Sequence, residues 1–299
     1  MSRKSEIHYF GSGVPNKTDY NFAETPSGKD ANYENFPVGS WLLSRELRSH
    51  VSIFYSFART IDDIADNPSL EAKEKLLRLD GFKEALLGRN LSNVAYRTAH
   101  NMRISLEETR ISSNHCIDLI SAFKIDATKL RYKNWDELME YCMLSAAPVG
   151  RYLVDLHGGS SNEYGPSDSL CIALQVINHL QDCKDDFLSL DRVYLPGDWL
   201  ADANVREEEL VQEVCSVGLR KVIDQCLEKA SVLLGEATEL PKDLKSRRLA
   251  MESAAIIEIA HQLILSLKNA DPLGAKRINL TKSEYFYSCI KGVVKSWLT

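Results

Sequence analysis

The sequence is 299 residues long, 44% hydrophobic and 26% charged, which is enough to bury the core of one large domain or two small ones. Its net charge of −6 at pH 7 argues against a dedicated nucleic-acid binder, because neutralising phosphates requires a basic face. The seven cysteines lack the spacing of metal ligands, a pattern typical of reduced thiols in a cytoplasm.

The first predicted element is an N-terminal arm over residues 1–32, which we expect to be loop and partly disordered because glycine and proline recur among polar side chains. Residues 33–299 are predicted to form a single all-α domain, since apolar residues recur at helical spacing and no linker divides the chain. Pro148 predicts a kink, and Gly158-Gly159 predicts a helix end. The predicted helices cover residues 39–66, 70–88, 91–106, 113–125, 135–158, 166–188, 206–234, 245–270 and 282–297.

The first of two acidic clusters closes the first predicted helix. An apolar stripe at three- and four-residue steps leads up to it and marks the side that faces the core. Asp62 lies just past that stripe and Asp66 one turn further, so the two carboxylates share a helix face. A single cluster of this kind is more often solvated surface charge, but the apolar flank favours a buried one.

The second acidic cluster follows an almost wholly apolar run over residues 170–180. A helix that is apolar nearly all round belongs in the middle of a bundle. Asp182 and Asp186, again four residues apart, therefore leave a buried segment. The amides of Gln175 and Asn178 interrupt that segment and need hydrogen-bond partners inside the protein.

Two pairs of carboxylates in one helical core repel each other and lose hydration, which costs several kcal/mol per unpaired ion. A cation must offset that cost. Mg²⁺ takes oxygen ligands, is held by a few carboxylates and bridges to the phosphates of a substrate. The paired clusters therefore predict a site for magnesium and a diphosphate.

Six sequence elements stand in a specific order along residues 34–197. They resemble the squalene/phytoene synthase superfamily and, within it, the hydroxysqualene synthase branch of bacterial hopanoid biosynthesis. The elements are residues 34–38 (ENFPV), 57–66 (FARTIDDIAD), 141–150 (YC to PVG), 173–178 (ALQVIN), 182–186 (DCKDD) and 191–196 (DRVYLP).

The resemblance implies an isoprenoid-synthase helical bundle with a central substrate cavity, an isoprenoid diphosphate as substrate and Mg²⁺ as cofactor. It implies metal binding by Asp62, Asp63, Asp66, Asp182 and Asp186. Arg59, on the helix face of Asp62, joins the catalytic aspartates as a cation for the departing diphosphate. The substrate-binding positions that it implies are Asn35, Phe36, Tyr55, Tyr141, Ala146, Val149, Leu174, Gln175, Asn178, Arg192 and Tyr194. From periodicity alone, the aromatic residues among them are ordinary core residues.

Two departures from the family pattern help to choose the branch. Glu34-Asn35-Phe36 replaces a Ser/Lys-rich phosphate-binding segment, and Gln181 stands where Arg is common. Both departures remove positive charge or hydroxyls near the diphosphate. We therefore predict that the protein binds one preformed C30 substrate, presqualene diphosphate. The substrate is ionised and rearranged, and water traps the resulting cation. Two alternatives stay open: head-to-head condensation of prenyl diphosphates to presqualene diphosphate, squalene or phytoene, and a non-catalytic helical assembly factor.

No segment approaches the roughly 18 consecutive apolar residues of a membrane span, and residues 1–30 lack the apolar core of a signal peptide, so we expect a cytoplasmic protein. A peripheral membrane contact stays open, because the apolar mouth of a lipid-substrate site needs no spanning helix. The resemblance also implies functional coupling to neighbouring enzymes of the hopanoid pathway.

Overall fold

The protein is a bundle of α-helices, which confirms the predicted fold class. The structure, a computed structural model, describes residues 23–24, 43–89, 91 and 93–298. The helices of this part are α1 (Arg45–Asp66), α2 (Ala72–Leu86), α3 (Arg97–Thr109), α4 (Asn114–Asp126), α5 (Trp135–Ser145), α6 (Ala147–Leu156), α7 (Tyr164–Leu190), α8 (Gly197–Asp202), α9 (Val217–Ala237), α10 (Leu240–Asp243), α11 (Arg247–Asn269) and α12 (Lys282–Leu298).

Helix α7 runs through the middle of the bundle, as its apolar composition predicts. It packs against α6, α9 and α11, and its residues Ile177 and Leu180 are almost fully buried. Helix α1 buries Val51, Phe54 and Ile61, which belong to the apolar stripe of the sequence. The aspartate pairs therefore leave two helices whose apolar faces are fixed in the core.

The predicted helix over residues 135–158 is two helices, because the chain bends at Ala146 between α5 and α6. The ring of Pro148 has no N–H to donate, so proline fits only in the first turn of a new helix. Asn134 caps α5 by accepting a hydrogen bond from the Glu137 amide. The break turns the segment, so that both helices line one cavity.

Two further differences concern short segments. The predicted helix over residues 206–234 begins only at Val217, where the Ser216 side chain accepts a hydrogen bond from the Leu219 amide. Sequence periodicity also missed a two-stranded parallel pairing of β1 (Arg131–Tyr132) with β2 (Val193–Pro196). These strands are too short to carry an alternating pattern.

Most of the predicted N-terminal arm lies outside the described residues. Ala23 and Glu24 are described, and a Glu24 carboxylate oxygen accepts hydrogen bonds from the Thr98 amide and hydroxyl, each 2.9 Å long. Among the described helices, α11 is long and apolar enough to cross a membrane, but 67% of its most apolar window is buried inside the protein. Such burial is typical of a core helix, so this is weak evidence for a membrane span.

Candidate active site

One cavity of about 380 Å³ lies between α1, α4, α5, α6, α7, α10 and α11. Its lining changes in chemistry along the helices. The amino-terminal halves of α1 and α7 contribute Val51, Phe54 and Leu170, whereas their carboxyl-terminal halves contribute both aspartate pairs. Eleven residues separate Val51 from Asp62, or about 16 Å along a helix. The cavity therefore has an apolar end and a charged end.

Arg59 holds the first aspartate cluster together. Its guanidinium lies 2.7 Å from an Asp62 carboxylate oxygen and donates two hydrogen bonds to Asp63, of 2.8 and 2.9 Å. Burial and the neighbouring Asp66 charge raise the pKa of Asp62 well above its usual range, although Arg59 opposes the shift. Asp63 is buried and lies outside the cavity lining, so the structure does not bring this predicted metal ligand to the others.

Arg192 links the end of α7 to the end of α1. Asp191 ends α7 in the left-handed conformation, with φ of 52°, and this turn directs the chain back toward α1. The buried Arg192 guanidinium then donates to the Asp66 carboxylate at 2.5 Å and to the Ala65 carbonyl at 3.1 Å. Arg192, predicted as a substrate-binding residue, therefore lies at the charged end of the cavity.

Arg277 is the cation beside the second aspartate cluster, and sequence reasoning missed it. From the loop between α11 and α12, it pairs with both carboxylate oxygens of Asp182, at 2.5 and 2.9 Å. Gln181 donates to the Ile278 carbonyl and so ties that loop to α7. The expected loss of positive charge at Gln181 is thus offset by a guanidinium from another segment. No periodic signal marks Arg277, because it lies outside any helix.

Asp126, at the end of α4, is a second residue that the sequence analysis did not find. It accepts hydrogen bonds from the hydroxyls of Tyr141, at 2.8 Å, and Tyr194, at 3.1 Å. Burial raises the pKa of Asp126 to about 6, against the lowering influence of Arg192. A charged residue on the buried side of α4 was the available signal.

His179 is a neutral imidazole in the cavity wall. Burial, together with the nearby charge of Arg192, lowers the pKa of His179 to about 3. Its ring stacks on Tyr194 with the centroids 3.6 Å apart, and its Nε2 lies 3.2 Å from the Gln175 side-chain nitrogen, which donates. The ring therefore stays uncharged at neutral pH and presents Nε2 as an acceptor.

The remaining predicted substrate-binding residues meet at the same cavity wherever the structure describes them. Asn35 and Phe36 lie outside the described residues. Ala146 is small and buried at the bend between α5 and α6, where it leaves space between the helices. The predicted positions that line the cavity are Tyr55, Tyr141, Ala146, Val149, Leu174, Gln175, Asn178, Arg192 and Tyr194.

The donor chemistry at the charged end fits a hard divalent cation. Asp62 and Asp66, on α1, and Asp182 and Asp186, on α7, line one cavity, and such carboxylate oxygens are preferred ligands of Mg²⁺. Burial and, after it, the neighbouring Asp66 charge raise the pKa of Asp62, and a cation bound beside these carboxylates would oppose both effects. Among the described residues, no three His, Cys, Asp or Glu side chains form a ready-made metal cluster, and the aspartates instead approach arginines.

The fold and the cavity define a class of all-α protein in which paired aspartates and arginines close one end of an apolar cavity. The model of the squalene/phytoene synthase family matches residues 30–284. The chain therefore belongs to the squalene/phytoene synthase family.

Individual relatives support this assignment over most of their length. The hydroxysqualene synthase of Rhodopseudomonas palustris is 40% identical over 88% of this chain and 89% of its own. The hydroxysqualene synthase of Sinorhizobium fredii is 41% identical over 84% of this chain and 85% of its own. Among solved structures, the squalene synthase of Alicyclobacillus acidocaldarius is similar, with a TM-score of 0.69 and 26% identity, over 78% of this chain and 87% of that one.

Proposed function

We propose that the protein is a hydroxysqualene synthase that converts presqualene diphosphate and water to hydroxysqualene and diphosphate. The observation that carries the proposal is the two-ended cavity, which provides charged groups for a diphosphate and an apolar lining for a C30 chain. The relatives named hydroxysqualene synthase, at 40% and 41% identity, support the same reaction. In this proposal the enzyme is a carbon–oxygen lyase that acts on a phosphate, and Mg²⁺ is its cofactor.

The charged end suits the departure of diphosphate. Asp62, Asp66, Asp182 and Asp186 would hold Mg²⁺, which supplies Lewis-acid stabilisation of the leaving group when bound. The arginines paired with these aspartates supply planar donors that match phosphate oxygens. These arginines are Arg59, Arg192 and Arg277.

The middle of the cavity suits the carbocation that remains. Apolar walls exclude bulk water from the cation, and the faces of Tyr55 and Tyr141 can each stabilise it by roughly 0.5–2 kcal/mol. In this proposal a single water, held by Gln175 and Asn178, attacks the rearranged cation. The new carbon–oxygen bond leaves a protonated alcohol. The Gln175 amide, which donates to His179 Nε2, would have to turn away so that this nitrogen accepts the released proton. A protonated alcohol is so strong an acid that a base of low pKa suffices.

One observation favours a second candidate, the condensation of two prenyl diphosphates to presqualene diphosphate, squalene or phytoene. Arg277 supplies the second aspartate pair with the positive charge that Gln181 lacks, so the site is better equipped for diphosphate than its sequence suggests. In that case the enzyme is a prenyltransferase. A non-catalytic assembly factor fits less well, because it has no use for a cavity lined by four aspartates.

Product analysis distinguishes these activities. The purified protein is incubated with Mg²⁺ and either presqualene diphosphate or farnesyl diphosphate, with and without NADPH, and the C30 products are identified by mass spectrometry. We expect hydroxysqualene from presqualene diphosphate without NADPH, and no product in excess chelator. Squalene formed only with NADPH, or presqualene diphosphate accumulating from farnesyl diphosphate, would assign the sister activity.

The proposed reaction also places the protein between two other steps. One enzyme must supply presqualene diphosphate and another must consume the allylic alcohol, which is the coupling that the resemblance to the hopanoid branch implies. Both the substrate and the product carry long hydrocarbon chains that dissolve poorly in water.

A further inference from the structure

Helix α12 carries an apolar stripe that the described part of the protein does not cover. Five large side chains on it are between 48% and 71% exposed. Their spacing places them within about a third of the helix circumference. The residues of this α12 stripe are Phe286, Tyr287, Ile290, Val294 and Trp297.

The opposite side of α12 fixes the orientation of the stripe. Gly292 packs so closely on α11 that a Cβ atom at this position would overlap the backbone of Ala254 and Ala255. Ser288 is buried in the same contact. Because α12 is held along its inner face, the stripe is a fixed outward surface of the bundle.

Basic side chains surround the stripe in a chain whose net charge is −6. Lys282 lies beside its beginning, and Lys291 and Lys295 both pair with the carboxylate of Glu258. With Glu284 of the same helix counted, these three lysines and two glutamates carry a net charge of +1. At the far end, Arg247 lies over the Trp297 ring at 6.0 Å from its centroid. An aromatic stripe with cationic flanks is the pattern of a helix that lies in the surface of an anionic bilayer.

The stripe also ends next to the apolar end of the cavity. Trp297 meets Arg247 at the start of α11, and two residues later Leu249 lines the cavity together with Leu240 and Leu244. A lipid surface bound along α12 therefore lies beside the part of the cavity suited to a hydrocarbon chain.

We propose that the α12 stripe is a membrane-contact surface that binds anionic phospholipid bilayers. A second copy of the chain fits this face poorly. In a two-fold interface the same surface meets itself, so the lysines and arginines around the stripe would oppose each other at close range. Phospholipid headgroups supply the opposite charge, and the acyl region accepts the tryptophan and phenylalanine side chains.

Vesicle flotation without any substrate tests this proposal separately from the proposed chemistry. Vesicles are made from phosphatidylcholine alone or mixed with phosphatidylglycerol. We expect the protein to float with the anionic vesicles, and the double variant Phe286→Ser/Trp297→Ser to bind at least about tenfold more weakly. Lys282→Glu/Arg247→Glu, which reverses the exposed charges at the two ends of the stripe, should weaken binding to anionic vesicles in the same way.

The control variant Leu77→Ser/Val232→Ser removes two apolar side chains of similar exposure, 65% and 62%, from α2 and α9 and should float like the wild type. All variants should turn over detergent-dispersed substrate at the wild-type rate, because none of these residues lines the cavity. Wild-type protein that does not float, or a stripe variant that floats equally well, would overturn the proposal. So would light scattering that shows a wild-type dimer broken by Phe286→Ser/Trp297→Ser.

Discussion

Two adjacent aspartates, Asp62 and Asp63, share one arginine but face different surroundings. Asp62 lines the cavity, whereas Asp63 is buried behind it. We expect Asp62→Asn to lose at least about a hundredfold in turnover without loss of stability, because the proposed metal site loses a carboxylate while the buried site loses a charge that burial disfavours. Asp63→Asn should instead lose about 1–3 kcal/mol in the free energy of unfolding, since it weakens a buried partner of Arg59. Urea unfolding and steady-state rates measure both; equal effects of the two variants on turnover would contradict the distinction.

His179 is expected to govern the fate of the cation more than its formation. His179→Phe keeps an aromatic ring against Tyr194 but removes the acceptor Nε2. We expect presqualene diphosphate still to be consumed. The ratio of alcohol to hydrocarbon should fall by about tenfold or more, because more of the cation loses a proton to form a hydrocarbon. The ratio of alcohol to hydrocarbon is measured by gas chromatography with mass spectrometry. An unchanged ratio would remove His179 from the proton transfer.

Asp126 links the pH to the stability of the fold. Its pKa is raised to about 6 in the folded protein, so it favours folding when protonated, and this contribution is lost as the pH rises through about 6. Against a reference pKa of about 3.9 in the unfolded chain, the contribution falls by about 1.4 kcal/mol from roughly pH 5 to 7.5. Asp126→Asn cannot titrate, so the unfolding free energy of the variant relative to wild type should improve by that amount over this range. A constant difference in urea unfolding would contradict the assignment.

At the scale of elements, the contact between α11 and α12 depends on one glycine. In Gly292→Ala the new methyl group would overlap backbone atoms of α11, which cannot change rotamer as a side chain can. Helix α12 must therefore shift, and we expect a loss of about 1–3 kcal/mol in unfolding free energy. Gly235→Ala is the matched control, since it lies within α9 and its Cβ would meet nothing within 4 Å. That variant should be neutral or more stable by about 0.5–1 kcal/mol. Thermal or urea unfolding compares the two, and equal losses would contradict the packing argument.

Periodicity predicted the elements whose burial repeats along the chain. The stripe of α1 and the apolar run of α7 were sufficient to predict that both aspartate pairs face the inside of the bundle, where they line the cavity. The break at Ala146 was predicted only as a kink, because a proline shows that a helix is interrupted but not how far the chain turns. Arg277 and the β1–β2 pairing could not be predicted, since both depend on contacts between segments far apart in the sequence.

At the scale of the whole molecule, one cavity joins three kinds of chemistry. Arginine-paired aspartates close one end, aromatic and amide groups line the middle, and mainly aliphatic side chains of α10 and α11, together with Glu252 and Ser253, line the rest. The α12 stripe lies on the outer side of α11, beside that aliphatic end. The arrangement suits a substrate that arrives from a lipid surface with its diphosphate directed toward the two aspartate pairs.

The proposed reaction makes one claim that no sister activity shares, namely that the oxygen of the product comes from solvent. The most direct measurement incubates the protein with presqualene diphosphate and Mg²⁺ in ¹⁸O-labelled water, without NADPH, and determines the mass of the C30 product. We predict an alcohol that carries a single ¹⁸O atom in each molecule. An unlabelled alcohol, a C30 hydrocarbon as the main product, or no consumption of presqualene diphosphate would contradict the proposed function.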